Sequence, residues 1–159
     1  MKVLFGVDVG GTDIKLGAFD WKSQKLLKKW AIKTDLSNEG KQIIPDVAKE
    51  IQSYLCENTL SEADVYGIGM GIPGPVDKDG NVEVCVNLFW NNFNPAEEMR
   101  KFFPHAYIQA GNDANVAALG EFVQGAGRKY KTMMLITLGT GVGGGIILNG
   151  DIVLGASGL

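Results

Sequence analysis

Two stretches of this chain share one plan: an apolar strand, a turn of glycines with a threonine, then a second strand. The first runs through residues 2–9 (KVLFGVDV), turns at Gly10-Gly11-Thr12-Asp13 and continues through residues 14–20 (IKLGAFD). The second begins at Met133–Leu138, turns at Gly139-Thr140-Gly141 and continues as Val142-Gly143-Gly144-Gly145-Ile146-Ile147-Leu148. A turn built from glycine exposes backbone N–H groups with no Cβ in the way, and such a concavity binds phosphate oxygens. Thr12 and Thr140 each add a hydroxyl. Asp8, at the mouth of the first turn, is placed to hold a water of hydrated Mg²⁺, which keeps several waters when it binds phosphates. Two such hairpins facing each other would grip a polyphosphate from both sides. The competing explanation is that each is only a tight turn needing positive φ. The chain carries 22 glycines in 159 residues, roughly twice average usage, and their clustering makes these turns the place to look for chemistry.

An α/β pattern joins the two hairpins. A third strand is expected over roughly residues 25–33, carrying Leu26, Leu27, Trp30 and Ile32. From about Lys41 to Leu55 the apolar residues recur at helical spacing, which predicts an amphipathic helix packed on the first strands. Residues 66–72 (YGIGMGI) read as a buried strand ended by Pro73-Gly74-Pro75. Asn94-Pro95 with Glu97 and Glu98 starts a helix: a cap, a proline at the first position, then acids in the first turn. Residues 106–110 form a short strand. Asn112-Asp113 then caps a helix to about Gln124, with Val116, Ala117, Leu119, Phe122 and Val123 as its apolar positions. Gly125-Ala126-Gly127 stops that helix, and residues 128–131 are a polar bridge. The repeated hairpin implies a structural duplication, with one domain over residues 1–127 and the first strands of a similar second domain over residues 128–159. The last five residues, GASGL, read unlike a folded C-terminus.

Several function classes are excluded. A formal net charge of −3 leaves no basic stripe for nucleic acid. One histidine and two cysteines, Cys56 and Cys85, far apart and without CxxC spacing, cannot supply a zinc site. No apolar run approaches the length of a membrane span, and Asp8 comes too early for a signal peptide. The expectation is a cytoplasmic protein with reduced thiols and neither nucleic acid nor membrane as a partner. There is no GxxxxGK[ST], so this is not a P-loop protein. GxGxxG occurs at Gly69–Gly74 and at Gly139–Gly144. Neither is followed by the helix that a dinucleotide-binding unit requires, since Pro75 follows one and the strand Ile146–Leu148 the other.

Asp113 stands at the head of an apolar helix in Gly111-Asn112-Asp113-Ala114-Asn115. A plain N-cap explains it. The functional alternative is a carboxylate that orients an acceptor hydroxyl and takes its proton, in a reaction that depends mainly on positioning and electrostatic stabilisation.

Taken together these segments resemble the ROK family of bacterial sugar kinases, typified by glucokinase-like enzymes. Asp8-Val9-Gly10-Gly11-Thr12-Asp13-Ile14-Lys15 is similar to the family's first phosphate motif. Gly69-Met70-Gly71-Ile72-Pro73-Gly74-Pro75-Val76-Asp77 resembles its sugar-side loop, and Asn87-Leu88-Phe89-Trp90 the stretch whose Asn contacts sugar hydroxyls. Asn112-Asp113-Ala114-Asn115 with Ala117-Ala118-Leu119-Gly120-Glu121 resembles the segment carrying the catalytic Asp. Leu138–Gly145 resembles the second phosphate motif.

The resemblance implies an α/β, ribonuclease-H-like (actin-like ATPase) fold and an ATP-dependent phosphorylation of a hexose or amino sugar. It makes Asp113 the general base and Asn112 a sugar ligand, with Asn87, Gly71, Pro73, Gly74 and Glu121 completing that side of the pocket. Gly10, Gly11, Thr12, Lys15, Gly139, Thr140 and Gly141 would bind ATP, and Asp8 would act through Mg²⁺. Family members are considerably longer. After the position of Gly158 they carry a sugar-binding Glu-x-Gly-His segment, a cysteine cluster holding structural zinc, and the adenosine region, and the full-length proteins are expected as homodimers. The chain is therefore expected to be the front portion, with little or no kinase activity alone. Two alternatives stand beside the kinase. A sugar-responsive regulator of the family would need a helix-turn-helix before the first phosphate motif, where only seven residues precede Asp8. A non-catalytic ATP-binding module of the same fold would bind ATP without sugar-dependent turnover.

Overall fold

The computed structural model describes residues 1–139 and 141–155. Thr140 and residues 156–159 lie outside the described residues, and with them the expectations for the second turn's hydroxyl and for the chain's last residues. The strands are β1 (Val3–Val9), β2 (Asp13–Asp20) and β3 (Leu26–Lys33), followed by helix α1 (Ile43–Glu57) and strand β4 (Val65–Ile72). Next come the short strands β5 (Val82–Cys85) and β6 (Trp90–Phe93), helix α2 (Pro95–Arg100), strand β7 (Tyr107–Asn112) and helix α3 (Asp113–Gln124). Strands β8 (Met133–Leu138), β9 (Val142–Leu148) and β10 (Asp151–Ile152) close the described chain.

Five strands form one sheet in the order β3-β2-β1-β4-β7. The first three run antiparallel, and β4 and β7 lie parallel to β1. This is the ribonuclease-H-like, actin-like ATPase arrangement that the sequence resemblance implies. Alternation along β1 buries Val3, Phe5, Val7 and Val9, and along β2 Ile14, Leu16 and Ala18. These residues meet the apolar face of α1, where Ile43, Ile44, Val47, Ile51 and Tyr54 are buried in the same core. Tyr54 meets Phe5 edge-on at 5.5 Å and stacks on Trp30 at 5.6 Å. Edge strand β3 contributes less than its composition predicts, because Leu26 and Leu27 are exposed.

In β4 the sequence alternates for a structural reason. Ile68, Met70 and Ile72 enter the core, and the intervening Gly67, Gly69 and Gly71 leave the other face without side chains. Backbone can then approach closely: a Cβ on Gly71 would stand 3.5 Å from Asp113 Cα.

Strands β8, β9 and β10 form a separate three-stranded sheet, and α3 packs against it as well as against the first sheet. The face of α3 differs from expectation. Its buried residues are Ala114, Asn115 and Ala118, while Val116 and Val123 are exposed. The reason lies in β9, where a Cβ on Gly145 would stand 2.5 Å from Ala118 Cβ and 3.1 Å from the Ala114 carbonyl oxygen. Helix and strand are in near-backbone contact, so only small residues fit between them. Gly145→Ala is accordingly expected to destabilise the protein by about 1–3 kcal/mol, the usual range for overpacking. The urea midpoint should fall at unchanged slope, and an unchanged midpoint would contradict this contact.

The β5–β6 hairpin forms a sheet of its own and was not legible beforehand. Its strands are short, and its connection is a 3₁₀ turn, Val86–Leu88, closed by Phe89 at φ +57° rather than by glycine. Among the described residues, no helix is long and apolar enough to cross a membrane.

Candidate active site

The register of the first sheet gathers the site. Asp8 on β1 lies beside Lys15 on β2 and Gly71 on β4, and Gly71 lies beside Gly111 on β7. This row crosses the carboxyl ends of parallel strands β1, β4 and β7, where open α/β sheets bind ligands. Asn112 is the next residue, and Asp113 opens α3.

Asn112 is the N-cap of that helix. Its Oδ1 accepts from the Ala114 N–H at 3.1 Å and from the Asn115 N–H at 3.2 Å. Its Nδ2 donates to the Gly74 carbonyl at 3.1 Å, so one side chain ties the helix start to the Pro73-Gly74 loop. The cap expected of Asp113 thus belongs to Asn112. Asp113 accepts at Oδ1 from the Ala114 N–H at 2.8 Å and remains exposed.

Asp113 opens onto a cleft of about 1000 Å³. Gly71, Pro73, Gly74, Asn87 and Asn112 line it. Asp8 lines it too, as do Thr137, Gly139 and Gly141 of the second hairpin. Lys15 pairs with Asp8 at 3.4 Å, with both side chains more than half exposed.

The two glycine turns differ from the simple picture of free amides. In the first, the Gly10 N–H donates to the Asp13 carbonyl at 3.1 Å, and Thr34 Oγ1 donates to the Gly10 carbonyl at 2.6 Å. The Gly11 and Thr12 N–H groups have no acceptor among the described residues. In the second, the Gly139 N–H donates to the Gly141 carbonyl at 2.9 Å. None of Gly10, Gly11 and Gly139 has positive φ, so dihedral demand does not explain these glycines. Space explains the first turn: a Cβ on Gly10 would stand 2.7 Å from the Asp13 carbonyl, and one on Gly11 3.3 Å from the Asn87 carbonyl. At Gly139 and Gly141 a Cβ would meet nothing within 4 Å among the described residues.

Gly10, Gly11, Thr12 and Lys15 do not line the cleft itself, though Gly11 lies against the Asn87 carbonyl and Lys15 beside Asp8. Glu121 is not brought to it at all. It lies two turns along α3, and its carboxylate accepts from the Ala126 N–H at 3.0 Å, closing the helix end. Helical rise separates Glu121 from Asp113 by about 12 Å. Thr137 lines the cleft and was missed, because only the turn beyond it carried a motif.

Asp77 and Cys85 flank the loop. The Asn81 side chain and backbone N–H hold the Asp77 carboxyl below its ordinary value, helped by the Asp79 and Gly80 amides. Burial pushes the Cys85 thiol above its ordinary value; the Leu88 and Asn87 amides oppose this, and the Asp113 carboxylate adds to it. Cys85 is 2% exposed whereas Cys56 is exposed. Iodoacetamide at pH 8 should therefore alkylate Cys56 alone in the native protein and both thiols in urea, read by mass spectrometry. Among the described residues no group of three or more His, Cys, Asp or Glu could hold a metal ion.

A glucokinase of Halalkalibacterium halodurans is 42% identical over 155 residues, covering 97% of this chain and 46% of that protein. An N-acetyl-D-glucosamine kinase of Yersinia pseudotuberculosis is 34% identical over 154 residues, covering 95% and 48%. The crystal structure of a ROK family glucokinase from Streptomyces griseus, in complex with glucose and AMPPNP, matches with a TM-score of 0.82 at 30% identity, over 99% of this chain and 48% of that one. The chain spans about half the length of the curated relatives it matches. The sequence model of the ROK family matches residues 4–159, and the chain belongs to that family.

Proposed function

We propose that this chain is the acceptor-sugar half of an ATP-dependent kinase acting on a hexose or an amino sugar. One observation carries the reading. Asp113 lines the same cleft as the Pro73-Gly74 loop, Asn87 and the glycine hairpin at Gly139 and Gly141. A sugar hydroxyl held by the loop and a terminal phosphate held by the hairpin would meet at Asp113.

In this reading the sugar lies on the Pro73-Gly74 loop, bonded by Asn87 and by the Asn112 amide hydrogen not given to Gly74. Asp113 holds the attacking hydroxyl and accepts its proton as the oxygen–phosphorus bond forms and the bond to the leaving diphosphate breaks. Positioning and charge stabilisation dominate such transfers. The Gly139–Gly141 turn receives phosphate oxygens. The Gly11 and Thr12 amides, without acceptors among the described residues, supply a second set of donors. Asp8 suits Mg²⁺, which binds through one or two carboxylates, substrate phosphates and waters. When bound, the ion would neutralise phosphate charge, and Lys15 beside Asp8 holds the carboxylate in place. Residues 1–127 form the first domain in this reading and residues 128–159 open the second.

The test is sugar-dependent ADP release by the protein encoded by the gene, screened over glucose, mannose and N-acetylated hexosamines. ATP binding without sugar-dependent turnover would move the protein to the non-catalytic class.

A further inference from the structure

The Pro73-Gly74 loop is gripped at two successive carbonyls. Asn112 Nδ2 donates to the Gly74 carbonyl at 3.1 Å, and the Cys85 thiol donates to the Pro73 carbonyl at 3.5 Å. The loop also lies directly on the Cys85 side chain: a Cβ on Gly74 would stand 3.3 Å from Sγ and 3.4 Å from the Cys85 Cβ. Cys85 ends β5, pairs with Trp90 across the hairpin, and immediately precedes the 3₁₀ turn that carries Asn87. That turn is itself anchored. Leu88 is fully buried, and Trp90 Nε1 donates to the Gly40 carbonyl at 3.0 Å.

We infer that Cys85 is a positioning residue for sugar binding: its thiol hooks the Pro73-Gly74 loop onto the hairpin that carries Asn87, setting the spacing between the two sugar-side elements. The inference rests on the kinase reading for its functional consequence, though not for the hook itself. A buried thiol that merely fills space behaves as a small hydrophobe, and alanine or serine would then be equivalent in function. A hook requires a donor. Burial keeps this thiol protonated at neutral pH, and serine, with a stronger donor in nearly the same place, can replace it.

The experiment compares wild type, Cys85→Ala and Cys85→Ser in the protein encoded by the gene, by steady-state kinetics and by hydrogen–deuterium exchange of the peptide containing Gly74 and Val76. Cys85→Ala is expected to raise the sugar KM about three- to tenfold, with kcat and the ATP KM within about twofold. Exchange in the loop should quicken in the same variant. Cys85→Ser should restore both values to within about twofold of wild type. Unchanged KM and unchanged exchange in Cys85→Ala would overturn the inference, as would equal losses in both variants accompanied by a lower melting temperature. Should the wild type phosphorylate no sugar, the kinase reading fails, and loop exchange in the two variants still decides whether the hook exists.

Discussion

Asp113→Asn is expected to lower kcat by about 10²- to 10⁴-fold, the usual contribution of a positioned general base, while the sugar dissociation constant stays within about twofold. The substitution suits the test because it alters little else. Asparagine keeps the oxygen that accepts from the Ala114 N–H, and the helix cap resides in Asn112. The fold and the loop tie should therefore survive. A loss confined to kcat marks an interaction made only in the transition state. Turnover within a few-fold of wild type would take Asp113 out of the base role and leave it as a helix-start residue. Kinetics of sugar phosphorylation, with sugar affinity measured separately by calorimetry, separate these outcomes.

The second large effect concerns stability, at a glycine that no motif contains. Gly40 has φ +69°, and a Cβ there would stand 2.1 Å from the Leu88 carbonyl oxygen and 3.0 Å from Trp90 Nε1. The left-handed conformation costs a non-glycine residue about 1–2 kcal/mol, and overpacking about 1–3 kcal/mol more. Gly40→Ala should therefore destabilise the protein by about 3 kcal/mol, or about 10 °C in melting temperature for a chain of this size. Because the displaced carbonyl belongs to Leu88, beside Asn87, sugar affinity should fall with it. Gly69→Ala is the control, since nothing described lies within 4 Å of its Cβ position; a change under about 0.5 kcal/mol is expected, typical of a substitution that meets no packed feature. Equal melting temperatures for wild type and Gly40→Ala would refute the packing described here.

Much of the site was readable because its elements are local. Alternation fixes which side of a strand faces the core, so β1, β2 and β4 fell within a residue of their expected bounds, as did α3. Asn112-Asp113 at a helix start and Pro73-Gly74-Pro75 after a strand are signatures of adjacent residues. The β5–β6 hairpin was not readable, because strands of four residues and a 3₁₀ turn without glycine leave no periodic trace. The packed face of α3 was misread for a related reason. Its larger residues form an apolar pattern, but its alanines meet β9, and hydrophobicity alone ranks the larger residues first.

From the sequence come the α/β class, the order of the longer strands and helices, the two glycine hairpins and the candidates Asp8, Asn87, Asn112 and Asp113. The sequence also determined the family, since the motifs stand in family order. Tertiary structure alone decided which candidates share a cleft. It brought Asp113, Gly139 and Gly141 to one cleft, turned Glu121 to the helix end, set Gly10 to bonding within its own turn, and brought Cys85 under a loop twelve residues earlier. Spacing along a chain sets periodicity and capping, which act over one or two turns. Contacts between residues distant in sequence depend on strand register and on how closely two backbones can approach, and both emerge only when the sheets and helices pack.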